Sequence, residues 1–241
     1  MKRQMALILL ICLLAGTAAR AETGLERFAV KHGDPTSPKI AITMDDVWET
    51  EWVWKTVELC AQYGIHVTFF PCGVNLKPED RDQWCEVLEQ GHEIGCHSYY
   101  HDKFKNEKPQ NLTARLARFQ EALDAALGFH YATRWFRPPF GDIVDEDGKN
   151  ISAYKGAKGF GYDHALLWTV SSTNADTAFS LTRNGAILLF HARRTDYECL
   201  VSLIPRLLEA GFEPVTVSDL FGFDPPEAGG EPYVRSVKQT P

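Results

Sequence analysis

Two histidines four residues apart, His97 and His101, lie in the stretch EIGCHSYYHDKF, which covers residues 93–104. On a turn of helix, side chains at i and i+4 share one face, so the two imidazoles could hold one metal ion. The same spacing also fits two solvated surface histidines. The pair therefore indicates a candidate metal site that needs a third ligand from elsewhere in the chain.

Other polar residues follow short apolar runs in a similar way. Asp45 and Asp46 end the stretch KIAITMDD, Arg137 follows TRWF, and His191 ends AILLFH. Each one alone has an ordinary interpretation, as a helix cap, a surface charge or a hydrogen-bonded histidine at a strand end. Neighbouring strand residues point in opposite directions, so we expect Asp45 and Asp46 to have different roles, one on the ion and one facing the substrate. A cation and Arg137 would keep both carboxylates ionised.

The elements that must position these residues are short apolar runs alternating with helical patterns. Helices are predicted in NLTARLARFQEALDAALG and ECLVSLIPRLLEAG, and four helical patterns stop at a glycine that can reverse the chain: Gly64, Gly91, Gly128 and Gly211. The runs predict about seven strands, at 39–44, 66–70, 92–97, 133–139, 166–170, 186–191 and 213–217. Strands that alternate with helices indicate parallel pairing, and we predict a single-domain α/β fold, a distorted (β/α) barrel.

This architecture makes a demand on the site. In a barrel of parallel strands, ligands bind beyond the carboxyl ends of the strands. The acids, histidines and arginine named above stand where the predicted strands end. We therefore expect them to meet at one end of the barrel.

The beginning of the chain predicts export. Residues 1–21, MKRQMALILLICLLAGTAARA, combine a basic start, a short apolar run and a small-x-small end, the pattern of a secretory signal peptide. We expect a secreted or periplasmic protein with no stable membrane anchor after cleavage. Residues 22–37 should lead into a domain over 38–222, and the Pro- and Gly-rich residues 223–241 should form a disordered tail.

Net charge limits the possible binding partners, and cysteine content limits the possible disulfides. Without residues 1–21 the chain has 22 bases against 32 acids, a net charge of −10, which makes nucleic acid an unsuitable partner. Nothing in the sequence indicates an oligomeric state. In an oxidising compartment two disulfides and one free thiol are possible, but spacing does not choose the pairs among the five remaining cysteines: Cys60, Cys72, Cys85, Cys96 and Cys199.

Four stretches together resemble a known family. TMDD, HSYYH, RPPF and LLFH, in this order over about residues 38–222, resemble the motifs of the polysaccharide deacetylase family, the NodB-homology domain or carbohydrate esterase family 4. The resemblance implies a distorted barrel, a zinc-type divalent metal and an acetylated glycan substrate. It also implies metal binding by Asp46, His97 and His101, with Asp45 as the catalytic base and Arg137 as its orienting partner.

The remaining motifs imply the rest of the machinery. By the same resemblance, His191 is the general acid, the backbone amide of Phe140 is the oxyanion donor, and Trp168 contacts the substrate. The implied reaction is metal-dependent removal of N-acetyl groups from an amino-sugar polymer or oligosaccharide, such as peptidoglycan or chitin-like chains. The ion would activate water and polarise the acetamide carbonyl, Asp45 would take a proton, and His191 would give one to the departing amine.

Two departures from the family pattern bear on this assignment. Val47 stands where the family has glycine, which predicts narrower access beside the base. In the fourth motif, Ser171 and Asn174 stand where the family tends to have acids, and Asp176 is two positions away. In the family such an acid tunes the general-acid histidine, so a less basic His191 is expected.

Other functions fit parts of the same pattern. The site could deacylate O-acetyl groups or a non-sugar amide, or the chain could be a carbohydrate-binding domain without turnover. Two histidines and a carboxylate are also the ligands of non-haem iron oxygenases, but those sites usually lie in antiparallel barrels. The predicted parallel strands favour the deacetylase.

Overall fold

Eight short strands form the inner layer of the computed structural model, which describes residues 28–104, 107–143 and 152–234. Every pairing between these strands is parallel, as the alternation of strands and helices predicts. The strands are β1 (Ala29–Val30), β2 (Lys39–Asp46), β3 (Thr68–Pro71), β4 (Glu93–Ile94), β5 (Ala165–Leu166), β6 (Val170–Ser171), β7 (Ile187–His191) and β8 (Glu213–Val215).

Strand β2 lies at the centre of the larger sheet, whose main order is β4-β3-β2-β7-β6. Its KIAITM residues are almost all buried because it has neighbours on both edges and helices outside. β8 pairs with the first half of β2, while β3 pairs with the second half. The register places Asp45 opposite His191 at the ends of β2 and β7, so two of the predicted site residues are neighbours.

The barrel closes through single bridges instead of full strands. Phe136 bridges to Cys96 on one side and to Ala165 on the other, so the predicted strand 133–139 is reduced to one paired residue. Pro138 and Pro139 follow directly, and a residue without an N–H cannot continue a ladder. This partial closure is the distortion of the predicted barrel.

Two further strands differ from the prediction. The run 166–170 divides at Trp168, because the backbone on its two sides bonds to different neighbours, β1 on one side and β7 on the other. β1 itself lies in the predicted lead-in and was not expected, since two residues are too few to show a period of two. The lead-in therefore supplies a strand to the sheet with β5.

Seven α-helices lie within the described residues, outside the strands. They are α1 (Glu51–Tyr63), α2 (Arg81–Glu89), α3 (Pro109–Leu127), α4 (Ser152–Phe160), α5 (Ala175–Leu181), α6 (Arg194–Glu209) and α7 (Val217–Leu220). The apolar stripe of α3 is fully buried, and the four glycines predicted to reverse the chain all have positive φ, from 62° to 85°. Within the described part of the chain, no helix has the length and apolar character needed to cross a membrane.

The expected disordered tail is partly ordered. Residues 223–234 fold back on the end of α3 and the segment that follows it, where the Tyr233 amide donates to Asp124 of α3 and Tyr131 bridges to Ala228. Backbone hydrogen bonds to this segment hold the tail despite its Pro- and Gly-rich composition. The predicted signal peptide, residues 1–21, and residues 235–241 lie outside the described residues.

No disulfide joins the five described cysteines, although their number would allow two. Four of the thiols are buried, and burial raises the pKa of Cys60 and Cys96 to about 12 and that of Cys199 to about 11. Thiols held in this protonated form are poor nucleophiles. These cysteines serve as small apolar side chains, and Cys96 lies in the main hydrophobic core.

Candidate metal centre and catalytic residues

The predicted site residues meet at one end of the barrel, which we call the mouth: the carboxyl ends of the strands. Asp45 and Asp46 end β2, and His191 ends β7. His97 is the third residue after β4, and Arg137 comes directly after Phe136, which forms the bridges described above. The parallel architecture therefore places these side chains together, although the chain separates the first from the last by almost 150 positions.

Three side chains converge at the mouth. Nε2 of His97 and Nε2 of His101 lie 3.3 Å and 3.2 Å from Oδ1 of Asp46. One potential ligand atom from each of these residues lies within 4.8 Å of the others. An Asp-His-His set with this spacing is the donor set of a catalytic zinc site, which leaves positions open for other ligands.

Hydrogen bonding fixes which imidazole nitrogen of His97 faces Asp46. Nδ1 of His97 lies 2.8 Å from the carbonyl oxygen of Arg137, and because a carbonyl only accepts, Nδ1 carries the proton. In the neutral ring Nε2 then presents a lone pair. A backbone carbonyl on the second nitrogen is also the usual way to orient a metal-binding histidine.

The protein atoms alone leave this cluster incomplete. Oδ1 of Asp46 is buried and makes no hydrogen bond of acceptable geometry, although two imidazole nitrogens lie close to it. Lone pairs directed at a carboxylate oxygen repel it, and a shared cation removes that repulsion. Burial lowers the pKa of His101, which favours the neutral, metal-binding form. The residues present therefore fit a divalent metal ion.

The charge of Asp46 is also suitable. Burial would raise its pKa, but the contact with His97 and the positive charge that His97, His101 and His191 bear when protonated outweigh burial and hold the pKa below the ordinary value. The carboxylate is therefore ionised at neutral pH. An ionised oxygen and two imidazoles form a ligand set of mixed type, which suits zinc and similar ions.

Backbone conformation, and not a helix, brings the two histidines together. Ser98 has φ 66°, and the left-handed turn that it starts returns the chain so that His101 faces His97. The expected helical turn is therefore wrong, because residues 98–101 form a loop. Ser98 is fully buried, and a left-handed non-glycine residue is stored strain of the kind found at functional sites.

The two adjacent acids also depart from simple alternation. Asp46 has φ 69°, so its backbone leaves the extended region at the last residue of β2. As a result both carboxylates lie near the same imidazole: Oδ2 of Asp45 is 3.8 Å from Nε2 of His97. Their contacts still differ, because Asp46 faces both histidines while Asp45 also binds an arginine.

Asp45 and Arg137 form a buried ion pair. Nη1 of Arg137 donates to Oδ1 of Asp45 and to Oγ1 of Thr43, each at 2.7 Å, and both members of the pair are at most 3% exposed. The guanidinium also lies over the ring of Phe70, at 4.4 Å from its centroid. The pair leaves Oδ2 of Asp45 directed at the metal cluster.

His191 has an acidic partner that the sequence motifs did not reveal. Nδ1 of His191 lies 3.5 Å from Oδ1 of Asp196, which is buried in the first turn of α6. Contact with Asp196 raises the pKa of His191, although burial opposes it, and the nearby Asp45 and Asp46 add to the rise. The expectation of a less basic His191 is therefore wrong, because the acid comes from the segment after the strand. Its only signal in the sequence is an aspartate five residues beyond His191.

Phe140 and Trp168 lie on the rim of the mouth. The ring of Phe140 is 57% exposed and packs edge-on against His101, with centroids 4.4 Å apart. Its φ of 61° turns the backbone within the short helix Pro139–Gly141. Trp168 is half-buried, with its ring 5.9 Å from the guanidinium of Arg137. Both residues line the approach to the cluster.

Val47 does not narrow this approach as expected. Its side chain is fully buried in the main hydrophobic core, on the side away from solvent. Its φ of 59° is unfavourable for a β-branched residue, which explains why glycine suits this position. Valine in place of glycine therefore adds a side chain to the core but holds a backbone conformation that glycine adopts more easily.

Comparisons with known proteins show which family the chain is similar to. Residues 32–160 match the family model described as polysaccharide deacetylase. A peptidoglycan-N-acetylglucosamine deacetylase of Bacillus cereus is 29% identical over 213 residues, covering 78% of this chain and 91% of that protein. The uncharacterized protein YlxY of Bacillus subtilis is 25% identical over 197 residues, and the match covers 78% of this chain but only 59% of YlxY.

Solved structures share the fold. The Bc1960 peptidoglycan N-acetylglucosamine deacetylase superposes with a TM-score of 0.70 at 21% identity, over 84% of this chain and 97% of that one. BA3943 of Bacillus anthracis, a CE4 family pseudoenzyme, gives a TM-score of 0.69 at 24% identity, over 80% and 69% of the two chains. With more than half of its residues matched by the family model, this chain belongs to the polysaccharide deacetylase family, the enzyme class that its motifs predict.

Proposed function

We propose that this protein is a metal-dependent hydrolase that removes N-acetyl groups from an amino-sugar polysaccharide or oligosaccharide. The observation that carries the proposal is the cluster of Asp46, His97 and His101, whose facing acceptor atoms call for a cation. Asp45 and His191 lie on neighbouring strand ends beside it. These residues make up the two parts of a hydrolytic site, an ion cradle and an acid–base pair.

Asp46, His97 and His101 would hold the metal, with zinc as the best candidate for one carboxylate and two imidazoles. When bound, such an ion supplies Lewis acidity to a substrate carbonyl and lowers the pKa of water. Asp45 takes the proton of the attacking water through Oδ2, because Oδ1 is occupied by Arg137. Arg137 thereby holds the base in one orientation.

His191, which ends the neighbouring strand β7 opposite Asp45, is the general acid. Contact with Asp196 raises its pKa, which increases the fraction of His191 that carries a proton, and the ring gives this proton to the amine that leaves. The backbone N–H of Phe140 stabilises the oxyanion, and Trp168 provides an apolar wall for the substrate. Acetate and a free amino sugar result.

Peptidoglycan is the substrate best supported by the relatives. The matched Bacillus cereus protein is named a deacetylase of peptidoglycan N-acetylglucosamine. We further propose that the protein acts outside the cytoplasm, where the signal peptide would deliver it to the cell wall.

The test is release of acetate from acetylated amino-sugar glycans, with and without chelator. We expect acetate and new primary amines from peptidoglycan fragments or from N-acetylglucosamine oligomers. Treatment with chelator should abolish release, and added zinc should restore it. His97→Ala should lose both activity and zinc binding, the latter measured by calorimetry.

A matched control separates the site from general damage. His66 is an exposed histidine just before β3, at the opposite end of the barrel, and His66→Ala should keep activity and zinc binding. Release that persists with chelator and in His97→Ala would refute the metal mechanism. Acetate without new amines would identify an O-acetyl esterase, and glycan binding without any acetate would identify a non-catalytic member like the BA3943 pseudoenzyme.

A further inference from the structure

Asp196 is a buried acid that none of the family motifs contains. It is 1% exposed, and its carboxylate accepts hydrogen bonds from three neighbours. The amide of His191 donates to Oδ1 at 3.0 Å, and Nε of Arg193 and Oγ1 of Thr195 donate to Oδ2 at 2.5 Å and 3.1 Å. A carboxylate with this many donors is fixed in one orientation.

The local fold aims this carboxylate at the imidazole of His191. Asp196 is the third residue of α6, where a negative charge is favoured by the helix dipole. Its side chain reaches back to the backbone of His191, as an acid in a first helical turn commonly does. The same Oδ1 lies 3.5 Å from Nδ1 of His191, a buried ring nitrogen that makes no hydrogen bond of acceptable geometry among the described residues, so Oδ1 is the acid oxygen within closest reach of the ring.

Burial then decides which ring nitrogen meets the substrate. The side chain of His191 is 32% exposed, but its Nδ1 is buried, so Nε2 is the nitrogen that can face solvent. The charged groups around the ring are Asp45 and Asp46 from β2, His101 from the loop after β4, and Asp196 with Arg193 from its own segment. Asp196 is the acid closest to Nδ1 among them.

We propose that Asp196 is the positioning residue of the general acid, taking the place of the acid that the fourth motif lacks. This inference rests on the proposed function. Asp196 accepts from Nδ1–H and holds Nε2–H toward the leaving nitrogen. When the C–N bond breaks, nitrogen keeps the electron pair and takes the Nε2 proton, while water supplies the oxygen that completes acetate. His191 ends the step as a neutral imidazole.

Two substrates with different leaving groups test this role in one variant. Expulsion of an amine needs a proton, whereas p-nitrophenolate leaves without one. For Asp196→Asn we expect kcat on N-acetylglucosamine oligomers to fall about 10- to 100-fold, at or below the lower end of the range of general acid catalysis, because His191 itself remains. Hydrolysis of p-nitrophenyl acetate should change less than about threefold, and the alkaline limb of the deacetylation profile should move to lower pH.

Asp176→Asn is the matched control. Asp176 is the acid nearest the family position, but it is exposed and pairs with Arg206 on the surface, so both activities and the pH profile should stay as in the wild type. The ratio of the two activities does not depend on how much of the variant folds. An equal loss on both substrates, or an unmoved alkaline limb, would refute the role of Asp196 while leaving the proposed function intact. A wild type that releases no acetate from glycans would refute both.

Discussion

The barrel buries a carboxylate at each end, and the two are satisfied in opposite ways. At the floor, the amino ends of the strands, Glu93 accepts from Thr68, from the amide of Ser218 and from its hydroxyl, at 2.6–3.1 Å. Trp135 in turn donates to that hydroxyl. At the mouth, Oδ1 of Asp46 is buried without a hydrogen bond. The protein supplies hydrogen-bond donors to both oxygens of Glu93, whereas Oδ1 of Asp46 has no such donor among the described residues.

This difference separates a structural acid from a functional one. Burial raises the pKa of Glu93, and its hydrogen bonds from Ser218 and Thr68 offset that cost only in part. The cluster it forms joins β3 and β4 to the start of α7, so it closes the floor. Oδ1 of Asp46 takes part in no such hydrogen-bonded cluster, and the left-handed backbone at Asp46 and Val47 adds strain. Strain with an unpaired polar atom at the mouth, and a fully hydrogen-bonded carboxylate at the floor, are what the proposed reaction site at the mouth would require.

The buried pair of Asp45 and Arg137 should give the largest effect on stability. Arg137→Met removes a charge that is fully buried and leaves Asp45 without its partner, which typically costs about 3–5 kcal/mol. Chemical denaturation of the metal-free protein measures the change. The double variant Asp45→Asn with Arg137→Met should recover part of the loss. Additive effects of the two single changes would show that the pair is not coupled.

Removal of the acceptor Glu93 at the floor should destabilise the protein. Glu93→Leu keeps a similar volume but leaves the donors of Thr68 and Ser218 buried without partners, at about 1–3 kcal/mol for each one that stays unpaired. We expect a loss of about 2–4 kcal/mol. Glu93→Gln is the matched control, because its carbonyl still accepts and the loss should be smaller. Zinc affinity should stay unchanged in both, and a floor variant with weakened zinc binding would contradict the separation of the two ends.

Much of this comparison could be predicted from the sequence, and the reason is the parallel architecture. Ordered motifs at strand ends predicted that Asp46, His97 and His101 would meet, because all strands of such a barrel end on one side. Patterns of four or more residues also predicted most strands and helices. The two-residue strand β1 was not predicted, because it lies outside the apolar runs and is too short to show a period.

The parts that could not be predicted depend on backbone angles and on contacts across the chain. The left-handed Ser98 is not visible in the letters HSYYH, which fit a helical turn equally well. Asp196 was missed because its role depends on a side chain reaching back from α6, where an aspartate ordinarily signals only a helix start. The order of residues 223–234 depends on hydrogen bonds to a segment about a hundred positions away.

The pair of His191 and Asp196 should make the free energy of unfolding of the metal-free protein depend on pH. The folded pKa of His191 is raised above its ordinary value of 6.5, so its contribution is complete below that pH and is lost as pH rises through the folded pKa. The folded pKa of Asp196 is lowered because its hydrogen bonds outweigh burial, so its contribution is lost on acidification. Since His191 is one-third exposed, we expect less than about 1 kcal/mol.

Denaturation of the wild type and Asp196→Asn between pH 5 and pH 9 measures this term. The difference in free energy of unfolding should be greatest in weak acid and should shrink toward alkaline pH as His191 loses its proton. A difference that stays constant over the range would mean that the histidine and the carboxylate do not interact. No matching pH dependence is expected for the Asp176→Asn control, whose partner is an arginine.

The smallest effect on stability, and the sharpest test of the comparison, is expected for Asp46→Asn in the metal-free protein. With both imidazoles neutral, the amide can donate to a lone pair that the carboxylate repels, and asparagine tolerates the left-handed φ of 69°. The free energy of unfolding should therefore change by no more than about 0.5 kcal/mol. Zinc should stabilise the wild type by about 2.7 kcal/mol at a hundredfold excess over Kd, and it should hardly stabilise the variant. If Asp46→Asn instead destabilised the metal-free protein as strongly as Glu93→Leu, the acid at the mouth would be structural, because its removal would then cost what the removal of a satisfied carboxylate costs.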